Sequence, residues 1–363
     1  MKPWLLAALL CFASAGALAG APAPAPARPP APAEVFRRLC ARLAPRAKTI
    51  TVRGRDGWLL LDGELRHLAA GAFWGARARR VGQASDPRWR DPLPALVDFA
   101  RRVRESGRAL VFVPVPPKAV IHPEAVWAEA PPGVGGAPAR LDPDSQEFYG
   151  LLRQVGVEVL DPTELYLQAR ARGAARLYCQ QDTHYGPAAI ELLAAALAER
   201  VRREAWARER PRAELASEER EVRIEGDLWK MLALETPRPP EREVLRLRFV
   251  GSPGPTGLVP LADDPRSPVL LLGDSHLLVF HVGGDMHAVG AGLPEQLGRE
   301  LGWAVDTLAV RGSGGTAERQ GVARRARQDP AWLASKKLLV WVVAARELSR
   351  SRTGWRTDVP FGP

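Results

Sequence analysis

Five short apolar runs, each too brief for a buried helix and each followed or preceded by a helix-length pattern, restrict this chain to an α/β architecture. The runs are Ala109 to Pro114, Val155 to Leu160, Pro268 to Leu272, Ala304 to Val310 and Leu338 to Val343. The first contains no polar side chain, as strands buried on both faces do. Helical patterns lie between them at Pro94 to Ser106, Pro143 to Gln154, Pro187 to about Trp206, Pro294 to Leu301 and Thr316 to Arg327. Several begin with proline, whose missing N–H costs little in a first turn. The alternation predicts a three-layer α/β/α domain with a mainly parallel sheet.

The ends of the chain read differently. Met1-Lys2, the apolar stretch Trp4 to Phe12 and Ala17-Leu18-Ala19 form a signal-peptide pattern over residues 1–19. Its apolar core is shorter than the roughly 20 residues of a spanning helix, so a cleaved leader is expected, with an uncleaved inner-membrane anchor as the alternative. Cys11 lacks the small residue that lipidation requires before it. Residues 20–47 are an Ala-Pro spacer and N-terminal segment, with Ala21 to Pro26 alternating strictly, a composition that favours polyproline II. The domain is expected over 48–352, with a charged, peripheral excursion at about 202–265 and a C-terminal tail at 353–363. No internal repeat is present.

Export shapes the reading of charge and cysteine. The net charge is +10, which attracts polyanions. In an exported protein that polyanion is expected to be an acidic polysaccharide or the cell envelope, with no nucleic acid. A chain rich in Arg, Ala and Pro and devoid of asparagine also reflects a GC-rich coding bias. Cys40 and Cys179, the cysteines left after the leader, are read either as one disulfide or as two buried thiols.

Chemistry concentrates at two points. Val269 to Leu272 runs into Gly273-Asp274-Ser275-His276, which sets a serine just past the carboxyl end of a buried strand, where open α/β sheets carry their sites. Ser275 is the candidate nucleophile, with its own N–H available to an oxyanion. Asp182 and His184 are two apart, on one face of an extended segment ahead of the helix starting at Pro187. His184 is the candidate base and Asp182 the group that orients it. A second cluster, His276, His281, Asp285 and His287, has no spacing that matches a metal motif, so no metal and no cofactor are expected, and its histidines are read as lining the pocket floor or binding substrate. Trp58, Trp74, Trp127 and Trp229 are read as packing residues or as platforms for sugar rings.

With these residues in view, the chain resembles the SGNH-hydrolase-like domain family of the alginate O-acetylation proteins AlgJ and AlgX. Asp182-Thr183-His184-Tyr185 is similar to that family's Asp-x-His block, and Gly273-Asp274-Ser275 to its serine block. Asp56 to Leu65, Val113 to Lys118 and Gly226-Asp227-Leu228 agree as well, so the similarity runs from about Arg53 to Arg350. The resemblance implies a periplasmic O-acetyltransferase acting on an exported, alginate-like polysaccharide through a Ser275 acyl-enzyme, with a membrane-bound O-acyltransferase as acetyl source. Gly312 to Gly315 is similar to the family's glycine block, which implies Gly314 as an oxyanion donor. Because the SGNH asparagine has no counterpart here, Arg311 is expected to replace it, and Tyr185 to contact substrate. The competing readings are an acetylesterase with the same three residues and a non-catalytic polysaccharide-binding scaffold.

Overall fold

The computed structural model describes residues 30–44, 50–174, 176–233, 241–255, 257–312 and 314–362. The signal pattern, most of the Ala-Pro spacer and Ser313 lie outside the described residues. No helix among those described is long and apolar enough to cross a membrane.

All five apolar runs form strands of one sheet. In chain order the strands that matter are β1 (Thr51–Arg53), β2 (Leu59–Leu61), β3 (Ala109–Val115), β4 (Glu158–Val159), β5 (Ala216–Arg223), β6 (Val244–Gly254), β7 (Gly257–Pro260), β8 (Val269–Gly273), β9 (Asp306–Ala309) and β10 (Leu338–Ala344). The central sheet has the order β4-β3-β10-β8-β9, and every pairing within it is parallel. β10 lies in the middle because all seven of its residues are buried. Its side chains alternate between two cores, as the period of two requires. Leu338, Val340 and Val342 enter one core, and Leu339, Trp341 and Val343 enter the other.

Helices cover both faces. The first core is closed by Pro187–Arg202, through Ile190, Leu193 and Leu197, and by Leu293–Leu301. The second is closed by Pro92–Glu105, Pro143–Gln154 and Ala317–Gln328, which contribute Phe99, Phe148 and Val322. The first of these begins two residues before the sequence pattern suggested, because the Asp91 carboxylate caps it by accepting the Leu93 N–H at 3.0 Å.

Three expectations change. The helix Pro32–Leu43 buries Phe36 and Cys40 in the first core, and Trp355, Val359 and Phe361 are buried, two of them in the second core, so neither segment is an appendage. The charged excursion contains an antiparallel sheet, β5-β6-β7. Its mixed charges face one another across the strands, with Glu219 opposite Arg248 and Glu221 opposite Arg246, while Leu247 enters the first core and Val250 is buried. Lastly, Cys40 and Cys179 are separate, buried, free thiols. Burial raises both, Cys40 to about 12, which suppresses the reactive thiolate.

Candidate active site

The serine turn sits at the carboxyl end of β8, against the last residues of β10. Gly273 is dictated by this contact, since a Cβ there would lie 2.2 Å from the Val342 carbonyl oxygen. Asp274 clips the turn in place. One of its oxygens accepts the His276 N–H at 2.9 Å and faces His276 Nδ1 at 3.0 Å, and the other accepts the Ala344 N–H at 2.7 Å. Burial drives the His276 imidazole down to about 4 against the pull of Asp274, so it is neutral at pH 7. Ser275 then opens a short turn of 3₁₀ helix, Ser275–Leu277. Its N–H faces no protein acceptor among the described residues, as the first N–H of a helical turn does.

The opposing loop, residues 179–184, is pinched at its neck by a bridge between Tyr178 and Tyr185. Side chains from distant segments then fix its course. Glu243 accepts the N–H groups of Gln180 and Gln181, each at 3.0 Å. The Asp227 carboxylate accepts the Thr183 N–H at 2.7 Å, and the buried Lys118 ammonium donates to the Asp182 carbonyl at 2.6 Å and to that of Leu59 at 2.7 Å. Four backbone groups of one loop are thereby satisfied without regular structure.

This holds Asp182, His184 and Ser275 in line. His184 Nε2 lies 2.8 Å from Ser275 Oγ, and His184 Nδ1 lies 2.6 Å from Asp182 Oδ1. The second carboxylate oxygen accepts the Asp227 N–H at 2.8 Å and faces His287 Nε2 at 3.0 Å. Burial would raise the Asp182 carboxyl, but the His184 charge and the hydrogen bonds from His184 and His287 outweigh it and hold the group well below its ordinary value. Burial lowers His184, and Asp182 more than reverses the effect, leaving the imidazole above 6.5. Such a line lets the serine proton pass to a histidine whose positive charge has a fixed counter-ion.

The other predicted residues fall elsewhere. Tyr185 is wholly buried, its hydroxyl donating to the His276 carbonyl at 2.6 Å, so it braces the serine turn and is closed to substrate. Arg311 is exposed and paired with Asp285, at 3.1 Å through one of its two contacts. Gly314, at φ +64°, packs against Ser351 and Thr353. No hydrogen bond joins either residue to Ser275 among those described. The His276, His281, Asp285 and His287 cluster disperses, its members turning to Asp274, Glu295, Arg311 and Asp182 respectively. Asp182, His184 and Asp227 do approach one another closely enough to share an ion, but N–H donors already occupy both oxygens of Asp182. Trp58 is buried against His122, which makes it a packing residue.

Lys118 and Asp227 were assigned no role from sequence, and His287 was read only as a member of the second cluster. Asp227 lies in the charged excursion, just past its most highly charged stretch. Gly226 is the signal that marks it, because a Cβ at that position would lie 2.1 Å from the Gln181 carbonyl oxygen. Only glycine lets the Asp227 N–H come so close to Asp182.

Residues 51–345 match the family of SGNH hydrolase-like domains described for the acetyltransferase AlgX. The chain belongs to this family. Among its curated relatives is the probable alginate O-acetylase AlgJ of Pseudomonas putida, 29% identical over 232 residues, which are 62% of this chain and 54% of the relative. The Pseudomonas aeruginosa protein of the same name is 29% identical over 152 residues, 42% of this chain and 33% of its own. The chain thus spans about half the length of the first relative and a third of the second. The solved O-acetyltransferase domain of P. putida AlgJ superposes with a TM-score of 0.59 at 25% identity, covering 82% of this chain and 92% of that domain. P. aeruginosa AlgX superposes with a TM-score of 0.54 at 17% identity, covering 86% of this chain and 64% of that one, a likeness of fold. The family's members thus share the layered α/β/α fold described above.

Proposed function

We propose that this domain is a polysaccharide O-acetyltransferase that works through an acetyl ester of Ser275. The observation that carries the reading is the continuous contact from Asp182 Oδ1 through both ring nitrogens of His184 to Ser275 Oγ, 2.6 Å and 2.8 Å long. His184 Nε2 takes the Ser275 proton as Oγ attacks the donor's acetyl carbonyl. The oxyanion so formed meets the Ser275 N–H, and the leaving group departs with the proton from His184. A sugar hydroxyl then gives its proton to His184, attacks the acetyl carbon and restores the free serine. Asp182 balances the imidazolium in both halves.

The acceptor class follows from two supports, the net charge of +10 and curated relatives named for alginate O-acetylation. An exported, anionic, alginate-like polysaccharide is the acceptor on this reading. The leader pattern directs the domain to the periplasm, and a membrane-bound O-acyltransferase supplies acetyl from the other side. The test is to incubate the domain with an activated aryl acetate, with and without an acidic oligosaccharide. Mass spectrometry should find one acetyl group on Ser275 and acetyl esters on the sugar, and Ser275→Ala should lose both while melting at the parent temperature. Acetate release with no sugar ester would make water the acceptor. Full activity in a folded Ser275→Ala would remove the acyl-enzyme.

A further inference from the structure

Residues 280–291 form a tight loop between the serine turn and the helix Leu293–Leu301. Phe280 N–H donates to the Met286 carbonyl, Gly283 N–H to that of Ala288, and Ala291 N–H to that of Phe280. Gly283, Gly284 and Gly290 have positive φ, which costs glycine little. His287 has φ 75° and ψ −46°, and the Ala288 N–H donates across it to the Met286 carbonyl at 3.0 Å. That is a γ-turn of the strained, positive-φ kind, which is rare with any side chain. The strained residue is the one that reaches the candidate acid. Its side chain is 4% exposed, and Nε2 lies 3.0 Å from Asp182 Oδ2. A carboxylate only accepts, so Nε2 carries the hydrogen.

We infer that His287 is a positioning residue for the acyl-transfer reaction, its Nε2–H fixing the plane of the Asp182 carboxylate so that Oδ1 faces His184. The inference rests on the acyl-enzyme reading above. The Asp182 carboxylate turns about its Cβ–Cγ bond, and donors from three residues set that rotation. His184 holds Oδ1, while the Asp227 N–H and His287 share Oδ2. The two donors to Oδ2 come from separate segments, one from the start of the helix Asp227–Ala233 and one from the 280–291 loop. Strain is retained at functional sites where the surroundings impose it, and here the imposed geometry delivers one hydrogen bond to one oxygen. The same loop presents Asp285 to Arg311, which anchors its tip to the segment after β9.

Removing the Nε2–H has two consequences with a definite sign. Asp182 loses orientation, and its charge is shared among fewer donors. It then holds the His184 proton more firmly. The other ionisable groups facing the pair, Asp227, Lys118, Arg346 and His276, remain in place.

The experiment compares His287→Phe, which keeps a planar ring without a donor, with His287→Gln, whose amide N–H can reach the same oxygen. Hydrolysis of an activated aryl acetate is followed against pH, beside melting curves and a Ser275→Ala control. His287→Phe should lower kcat by roughly 10- to 100-fold, the loss expected for a hydrogen bond to a charged group, with KM little changed. Its acid limb should move to higher pH. His287→Gln should restore most of the rate and return the limb toward the parent. Should His287→Phe fail to fold, the limb and rate of His287→Gln against His287→Asn, whose shorter amide falls short of Asp182, make the same comparison. Parental rate and an unmoved limb in a folded donorless variant would overturn the positioning role, as would equal loss in the Gln and Phe variants with no change of limb. If Ser275→Ala is itself fully active, it is the acyl-enzyme reading that fails.

Discussion

At the scale of single residues, the site depends on the contrast between two buried charges. Asp182 is held ionised by hydrogen-bond donors on both oxygens, and His184 is raised above its ordinary 6.5 by that same carboxylate. Replacing Asp182 by Asn removes the charge and offers an N–H where His184 needs an acceptor. Acetyl transfer by Asp182→Asn should fall on the order of 10⁴-fold, whereas binding of an acidic oligosaccharide, measured by calorimetry, should stay within a few-fold. Loss of less than tenfold would take Asp182 out of the reaction. The pH dependence has a worked sign. In the proposed mechanism His184 acts as base only when neutral, and its pKa is raised by Asp182, so kcat/KM should be constant at alkaline pH and fall as pH drops through a value above 6.5. A limb lying below 6.5 in the parent protein would show that Asp182 does not set the basicity of His184.

Elements matter here through where they end. β10 runs two residues past the pairing of Val342 with Gly273, so the Ala344 N–H can clamp Asp274 and the serine turn is held by the sheet itself. The loop at 179–184 has no such support. It is held by Lys118 after β3, by Glu243 ahead of β6 and by the start of the helix Asp227–Ala233. The segment at 226–228 is the most vulnerable of these because it runs backbone to backbone against Gln181. Gly226→Ala puts a methyl carbon where a carbonyl oxygen lies 2.1 Å away, a form of overpacking that costs about 1–3 kcal/mol. The variant should unfold at lower denaturant with an unchanged slope. Its rate should fall further than its stability implies, since the Asp227 N–H retreats from Asp182. A variant with full rate and only reduced stability would show that this donor is dispensable.

For the molecule as a whole, the two cores on either side of the sheet define what belongs to the domain. Trp355 packs 5.9 Å from Trp341, ring to ring, and donates its indole N–H to the Glu347 carbonyl at 3.0 Å. Phe361 stands edge-on to Phe99 at 5.6 Å. Each such aromatic contributes about 1.5–3 kcal/mol by leaving water. Truncation after Arg352 should therefore lower the unfolding free energy by at least about 3 kcal/mol, read by urea titration, and expose Trp341 to quenching. An unchanged midpoint would mean that 353–362 only lies on the surface. The molecule also carries unequal numbers of charges, but β5 and β6 together hold four arginines against three glutamates, so nearly all of the net +10 lies outside these two strands.

The strands, their parallel arrangement and the candidate Asp182, His184 and Ser275 were legible in the sequence because each rests on local chemistry. An apolar run buried on both faces looks the same wherever it pairs, glycine before a serine marks a tight turn, and Asp182 lies two residues from His184. What the sequence left unread was decided over long separations. The antiparallel strands of 216–260 look solvated because their charges find partners only after pairing. Tyr185 looks available until its ring is enclosed beside His276 and its hydroxyl is spent on that residue's carbonyl. Lys118, Asp227 and His287 stand 64, 45 and 105 positions from Asp182, and no periodicity spans such distances. The sequence determined the layers and the candidate site residues. The tertiary structure alone decided which donors surround the acid, because a buried carboxylate takes its partners from whatever chain the packing of the sheet brings within 3 Å.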